Sequence, residues 1–91
     1  MIQLNRNHAK YDLPLEILCS LQCTPVGTDL FAKDFGVSEK TILSASRELV
    51  KRGFPVVVSG DVGFVCLSGR LTPEERATAE SYFNDVCNEA I

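Results

Sequence analysis

Gly27-Thr28-Asp29-Leu30-Phe31-Ala32-Lys33-Asp34-Phe35-Gly36-Val37-Ser38-Glu39-Lys40-Thr41-Ile42-Leu43-Ser44-Ala45-Ser46-Arg47-Glu48-Leu49-Val50-Lys51-Arg52 is the stretch that decides how this chain folds. It reads as two short helices meeting at the turn Phe35-Gly36-Val37-Ser38, with Gly53 closing the second. Thr28 offers a hydroxyl to cap the free amides of the first helix, and apolar residues cluster on one side of it. Gly36 enters a left-handed turn without steric cost, so it can stop that helix and redirect the chain. Val37 then plugs the angle between the helices. Ser38 is placed to cap the second helix, and Glu39 puts a carboxylate in its first turn, where the helix dipole favours negative charge.

Within the second helix, Ile42, Ser46 or Ala45, Leu49 and Val50 recur at three-to-four-residue spacing and are expected to form its buried stripe. The opposite face carries Lys40, Thr41, Ser44, Arg47 and Lys51. Such side chains hydrogen-bond base edges or phosphates when a helix lies in a major groove, and Arg47 is the one able to grip guanine bidentately. A solvated helix face is the plainer reading of the same residues. Beyond Gly53 the helical period gives way to Phe54-Pro55-Val56-Val57-Val58, the turn cluster Ser59-Gly60-Asp61-Val62-Gly63 and a second apolar run, Phe64-Val65-Cys66-Leu67. This is a β-hairpin pattern, with Pro55 at the first strand position, where its missing donor does least harm.

The run from Leu18 to Leu67 resembles a known module. Gly36-Val37-Ser38 at the turn, Leu49-Val50-Lys51-Arg52-Gly53-Phe54-Pro55-Val56 at the exit and Gly60-Asp61-Val62-Gly63-Phe64 in the hairpin look like the winged helix-turn-helix at the amino terminus of biotin operon repressors and related bacterial regulators. The resemblance covers roughly half of the 91 residues. It implies an α+β, mostly helical fold in which residues 39–52 form the recognition helix and the hairpin is a wing touching backbone or minor groove. Carried over by position, the candidate contacts are Lys40, Thr41, Ser44 and Arg47, with Thr28 near a phosphate; Ser38 and Lys51 complete the residues expected to bind DNA.

Flanking segments complete the organisation: an arm over 1–12, the winged helix-turn-helix domain over 13–69, and an additional C-terminal helix over 70–91. The arm mixes Asn, Arg, His and Lys without periodicity, so a frayed, solvated tail is the default, with Arg6 and Lys10 as the residues that would enter a neighbouring groove. Asp12-Leu13-Pro14 starts a scaffold helix in which Leu15, Leu18, Cys19 and Gln22 follow at helical spacing and Ile17 and Leu21 widen the apolar face. In the C-terminal segment, Thr72-Pro73-Glu74-Glu75 combines a hydroxyl cap, a first-turn proline and a carboxylate three residues after the cap. Ala79, Tyr82, Phe83, Val86 and Ala90 follow at helical spacing, with Cys87 and Ile91 beside them. That stripe either packs on its own domain or pairs two subunits.

Nine basic against twelve acidic residues give a net charge of −3, whereas phosphate contacts normally demand a basic protein. The distribution is uneven. Residues 33–52 hold five basic and three acidic groups, while 70–91 hold two basic and five acidic. Few phosphate partners per copy favour a homodimer on a two-fold site. The four cysteines, Cys19, Cys23, Cys66 and Cys87, include no CxxC pair, and the single His8 lies in the arm, so no metal or other cofactor is expected. Reduced and mostly buried thiols are the expectation, with Cys23 the least protected. No apolar run approaches the ~20 residues of a membrane span, no secretion signal is visible, and a cytoplasmic location is expected. Neither a phosphate loop nor a nucleophile–base pair suggests catalysis or a small-molecule substrate.

Two functions compete. One is a bacterial or phage transcriptional regulator binding double-stranded DNA sequence-specifically. The other is a winged-helix protein–protein adaptor or inhibitor that binds no DNA, for which the acidic total, Asp61 and Leu43 speak.

Overall fold

The computed structural model describes the backbone of residues 11–88 and the side chains of 11–86. In chain order the elements are α1 (Leu13–Ser20), β1 (Val26–Gly27), α2 (Thr28–Phe35), α3 (Glu39–Lys51), β2 (Val56–Ser59), β3 (Phe64–Leu67) and α4 (Pro73–Asn88). The result is an α+β fold, mostly helical, with a small three-stranded antiparallel sheet in the order β1-β3-β2. Arg6, Lys10 and His8 of the arm, and Ala90 and Ile91 beyond α4, lie outside the described residues, as does the Cys87 side chain.

Local chemistry sets most helix boundaries. Asp12 caps α1 by accepting from the Leu15 amide at 3.0 Å, so the end of the expected arm is already part of the fold. Ser38 caps α3 by accepting from the Thr41 amide at 3.1 Å. At α4 the capping box closes in both directions: the Glu75 amide donates to the Thr72 hydroxyl at 3.1 Å and the Thr72 amide donates to Glu75 Oε1 at 2.8 Å. Gly36 stands at φ 69° and ψ 33°, the left-handed conformation a side chain would resist, and ends α2 as the sequence requires. Helix α3 stops one residue earlier than expected, with Arg52 as its cap. The amides of Gly53 and Phe54 then fold back onto Val50 and Leu49 carbonyls, at 3.0 and 3.1 Å, in a Schellman-type ending.

The start of α2 departs from expectation. Thr28 is its first helical residue rather than its cap; Gly27 occupies the cap position without a side-chain bond, and Thr28 is 3 % exposed. The reason is β1, a two-residue strand the sequence pattern did not reveal. Val26 pairs with Val65 and Gly27 with Phe64, which draws the entry to α2 onto the hairpin. The Thr28 amide donates to the Gly63 carbonyl at 2.9 Å, so the first orphan donor of α2 is satisfied by the hairpin turn.

Ile17, Leu18 and Leu21 of the first helix and its exit meet Phe31 and Ala32 of α2, Ile42, Ala45 and Leu49 of α3, Val56 and Val65 of the sheet, and Ala79 of α4 in one core. Val50 is not in the α3 stripe; it is 47 % exposed, and Ser46 takes the buried position at 0 %. Cys19 and Cys23 are exposed rather than buried, and Cys66 is buried. Helix α1 ends at Ser20, short of Gln22, because the Gln22 carbonyl accepts from the Leu67 amide at 2.8 Å and so serves the sheet.

Three helices are tied together at one polar junction. Besides capping α1, the Asp12 carboxylate accepts from both terminal nitrogens of Arg52, at 3.2 and 3.1 Å, and its amide donates to the Tyr82 hydroxyl of α4 at 3.0 Å. Next to it, the Tyr11 hydroxyl donates to buried Glu16. Burial pushes the Tyr82 phenol pKa up, and the neighbouring Glu16 and Asp12 carboxylates act in the same direction.

Candidate functional site

Helix α3 buries Ile42, Ala45, Ser46 and Leu49 and turns its other side outward. Lys40, Ser44, Arg47 and Lys51 follow one another at steps of four, three and four residues, which stacks them in one ridge opposite the buried stripe. All four are exposed. Thr41 lies on one flank of the ridge, where its hydroxyl sits 2.9 Å from that of Ser38, so these two exposed groups form a local pair at the start of the helix.

Charge on this ridge is unneutralised. Among the described residues Lys40, Arg47 and Lys51 form no ion pair, whereas Arg52, just past the helix, is held by Asp12 and at 3.4 Å by Glu48. Hydrogen bonding to Asp12 raises the Arg52 guanidinium pKa and fixes that cation to the fold. Arg52 is therefore a structural charge, and the outward-facing cations are the other three.

The hairpin stands beside the ridge. Its turn, Gly60-Asp61-Val62-Gly63, is closed by the Gly63 amide donating to the Ser59 carbonyl at 2.9 Å and the Val62 amide donating to the Ser59 hydroxyl at 3.2 Å. Gly63 has φ 84°, and a Cβ there would also stand 3.3 Å from the Thr28 hydroxyl oxygen. A Cβ on Gly60 would lie 3.0 Å from Nη2 of Arg47, so the guanidinium rests against the hairpin turn and bridges α3 to it. Between these elements lies a polar groove of about 380 Å³, lined by Thr28, Asp29, Glu39, Leu43 and the four turn residues. Three carboxylates, Asp29, Glu39 and Asp61, border it, and Val62 at the tip is 77 % exposed.

Of the seven residues expected to meet DNA, Lys40, Ser44, Arg47 and Lys51 share one exposed helix face, with Ser38 at the cap and Thr41 on the flank, both exposed. Thr28 does not join them. It is 3 % exposed beneath the hairpin turn, at the floor of the polar groove rather than on the helix face. The expected dimerisation stripe is divided. Ala79, Tyr82 and Val86 are buried within the chain itself, Phe83 is 42 % exposed, and Ala90 lies outside the described residues. Phe83 borders an apolar cleft of about 440 Å³ between α1 and α4, together with Leu18, Cys19, Leu21, Leu71 and Ala79. There the Cys19 thiol donates to the Ala79 carbonyl at 3.7 Å.

Glu39, Gly60 and Val62 belong to this surface but carry no motif of their own. Glu39 is fully accounted for as a first-turn helix acid, and only the hairpin packing reveals it as a groove wall. Among the described residues no cluster of three or more His, Cys, Asp or Glu side chains is arranged to hold a metal ion, and no helix is long and apolar enough to cross a membrane. No family model, curated protein or solved structure matches the chain.

Proposed function

We propose that the chain is a winged helix-turn-helix protein that binds double-stranded DNA sequence-specifically as a transcriptional regulator, with α3 as recognition helix and the β2–β3 hairpin as wing. The observation that carries this reading is the ridge Lys40–Ser44–Arg47–Lys51, exposed, without ion pairs among the described residues and backed by a buried stripe. The element order α1-β1-α2-α3-β2-β3 and the sheet order β1-β3-β2 support it, because they set a hairpin at the side of the second helix of a helix–turn–helix pair. Lys40 and Lys51 would meet phosphates and Arg47 a guanine edge.

So few cations bind DNA weakly one copy at a time, so the reading has two copies act together on a two-fold site. Ala79, Tyr82 and Val86 are occupied within the chain, which leaves Phe83 and the α1–α4 cleft as the surface for that pairing. Static light scattering at tens of micromolar tests it; a monomer at that concentration speaks against a stable dimer.

Fluorescence-anisotropy titration of duplex DNA at several salt concentrations tests DNA binding. Two copies with two phosphate-facing lysines each imply a slope of log affinity on log salt of roughly −3 to −4. Arg47→Ala should weaken specific binding by about 1–3 kcal/mol and leave that slope unchanged. No binding at ~50 mM salt, where phosphate attraction is strong, would refute the proposal.

One observation favours a second reading, the protein-binding adaptor or inhibitor. The hairpin tip presents Asp61 and the apolar Val62 rather than a cation, and Leu30 on α2 is 56 % exposed. Under that reading Val62→Asp abolishes partner capture while Arg47→Ala does not.

A further inference from the structure

We infer that Glu39 is a specificity-determining residue, selecting cytosine at the base pair reached by the first turn of α3; this rests on the DNA-binding reading above. Glu39 follows the Ser38 cap, is exposed and forms no ion pair among the described residues. It lies on the flank of α3 facing the hairpin, one turn before Leu43, and both residues line the polar groove whose far wall is Gly60-Asp61-Val62. No lysine or arginine lines that groove, and Arg47, which rests against Gly60 at its edge, forms no ion pair with the carboxylate among the described residues.

A helix entering a major groove with its N-terminal turn leading brings first-turn side chains to base edges. A carboxylate only accepts hydrogen bonds. Guanine presents N7 and O6 and thymine presents O4, all acceptors, so both edges repel Glu39; adenine pairs a donor with an acceptor at N7. Cytosine presents the N4 amino donor, which makes it the edge a carboxylate satisfies. Phosphates are excluded by the same charge, with Asp29 and Asp61 beside Glu39 adding to the repulsion. Leu43, half-buried on the same flank, is apolar and fits the methyl group of a thymine nearby. Arg47, braced on Gly60 two turns further along, faces acceptors instead, so one helix reads a donor at one end and acceptors at the other.

Enrichment of sites from a randomised duplex library, followed by titration of the enriched duplex and its single-base variants, tests this with the whole chain and its Glu39→Ala variant. Wild type should enrich a cytosine whose replacement by thymine lowers affinity roughly 5- to 150-fold, the range that one good base contact spans. In Glu39→Ala that preference should fall to about twofold or less, while affinity for random duplex rises because a charge facing the DNA is gone. Far-ultraviolet circular dichroism and a thermal melt confirm that the variant is folded. An unchanged cytosine preference in Glu39→Ala, or enriched sites lacking the cytosine, overturns the role of Glu39 and leaves the DNA reading standing. No binding to any duplex by wild type at ~50 mM salt overturns both.

Discussion

Ser46→Ala isolates one atom whose cost to the fold is visible in the structure. Ser46 lies in the middle of α3 at 0 % exposure, and among the described residues its hydroxyl oxygen has no hydrogen-bond partner. A buried polar group left unsatisfied costs about 1–3 kcal/mol. Alanine removes that group and adds up to roughly 0.5 kcal/mol of helix propensity. Against this stands the space vacated by one oxygen, on the order of 10–20 Å³, which at about 24 cal/mol per Å³ costs no more than roughly 0.5 kcal/mol. The balance favours the variant by about 1–2 kcal/mol. For a domain of this size that raises Tm by roughly 5–15 °C, and the urea midpoint should rise with no change in slope. Ala45→Ser introduces the same hydroxyl at an adjacent core position, 7 % exposed, and should lose about 1–3 kcal/mol. A Ser46→Ala protein less stable than wild type would show that the hydroxyl is satisfied and that the packing described for α3 is wrong there.

The Asp12 junction separates two contributions. Asp12→Ala removes the α1 cap, worth about 1 kcal/mol, and the ion pair with Arg52, which at 34 % and 29 % side-chain exposure is screened to about 0.5 kcal/mol; Asp12→Asn keeps the cap and should lose only the second part, and equal losses in urea melts would contradict this division. Tyr82 governs the alkaline limb. Its pKa is raised in the folded state, so the folded chain holds the phenol proton more tightly than the unfolded chain, and stability is retained below about pH 10 and lost as pH rises beyond it. Thermal melts of Tyr82→Phe should show a shallower alkaline decline, together with a loss of about 1 kcal/mol at neutral pH from the unpartnered Asp12 amide; an unchanged decline would mean that another group dominates.

What could be read from residue order alone was chemistry acting within about four residues. Asp12, Ser38 and the Thr72–Glu75 box satisfy amides of their own first turns, and Gly36 must turn left-handed wherever the rest of the chain lies. The hairpin was legible for the same reason, since its turn residues and flanking apolar runs are contiguous. The ridge of α3 followed from helical period once the helix was bounded. Tertiary structure decided what depends on distant partners. Two-residue β1 exists because Val26 and Gly27 find Val65 and Phe64, nearly forty residues on, and that pairing buries Thr28. Which edge of a helix is covered is set by its neighbours, so Val50 and Cys19 face outward although their spacing fits an apolar stripe. Charge behaves likewise. Arg52 is indistinguishable from Lys51 in sequence until Asp12, forty positions earlier, claims it, and Glu39 became a groove wall only when the hairpin folded alongside. A cap needs only its own turn, whereas burial and pairing are properties of two surfaces, and the chain specifies the second surface only by folding.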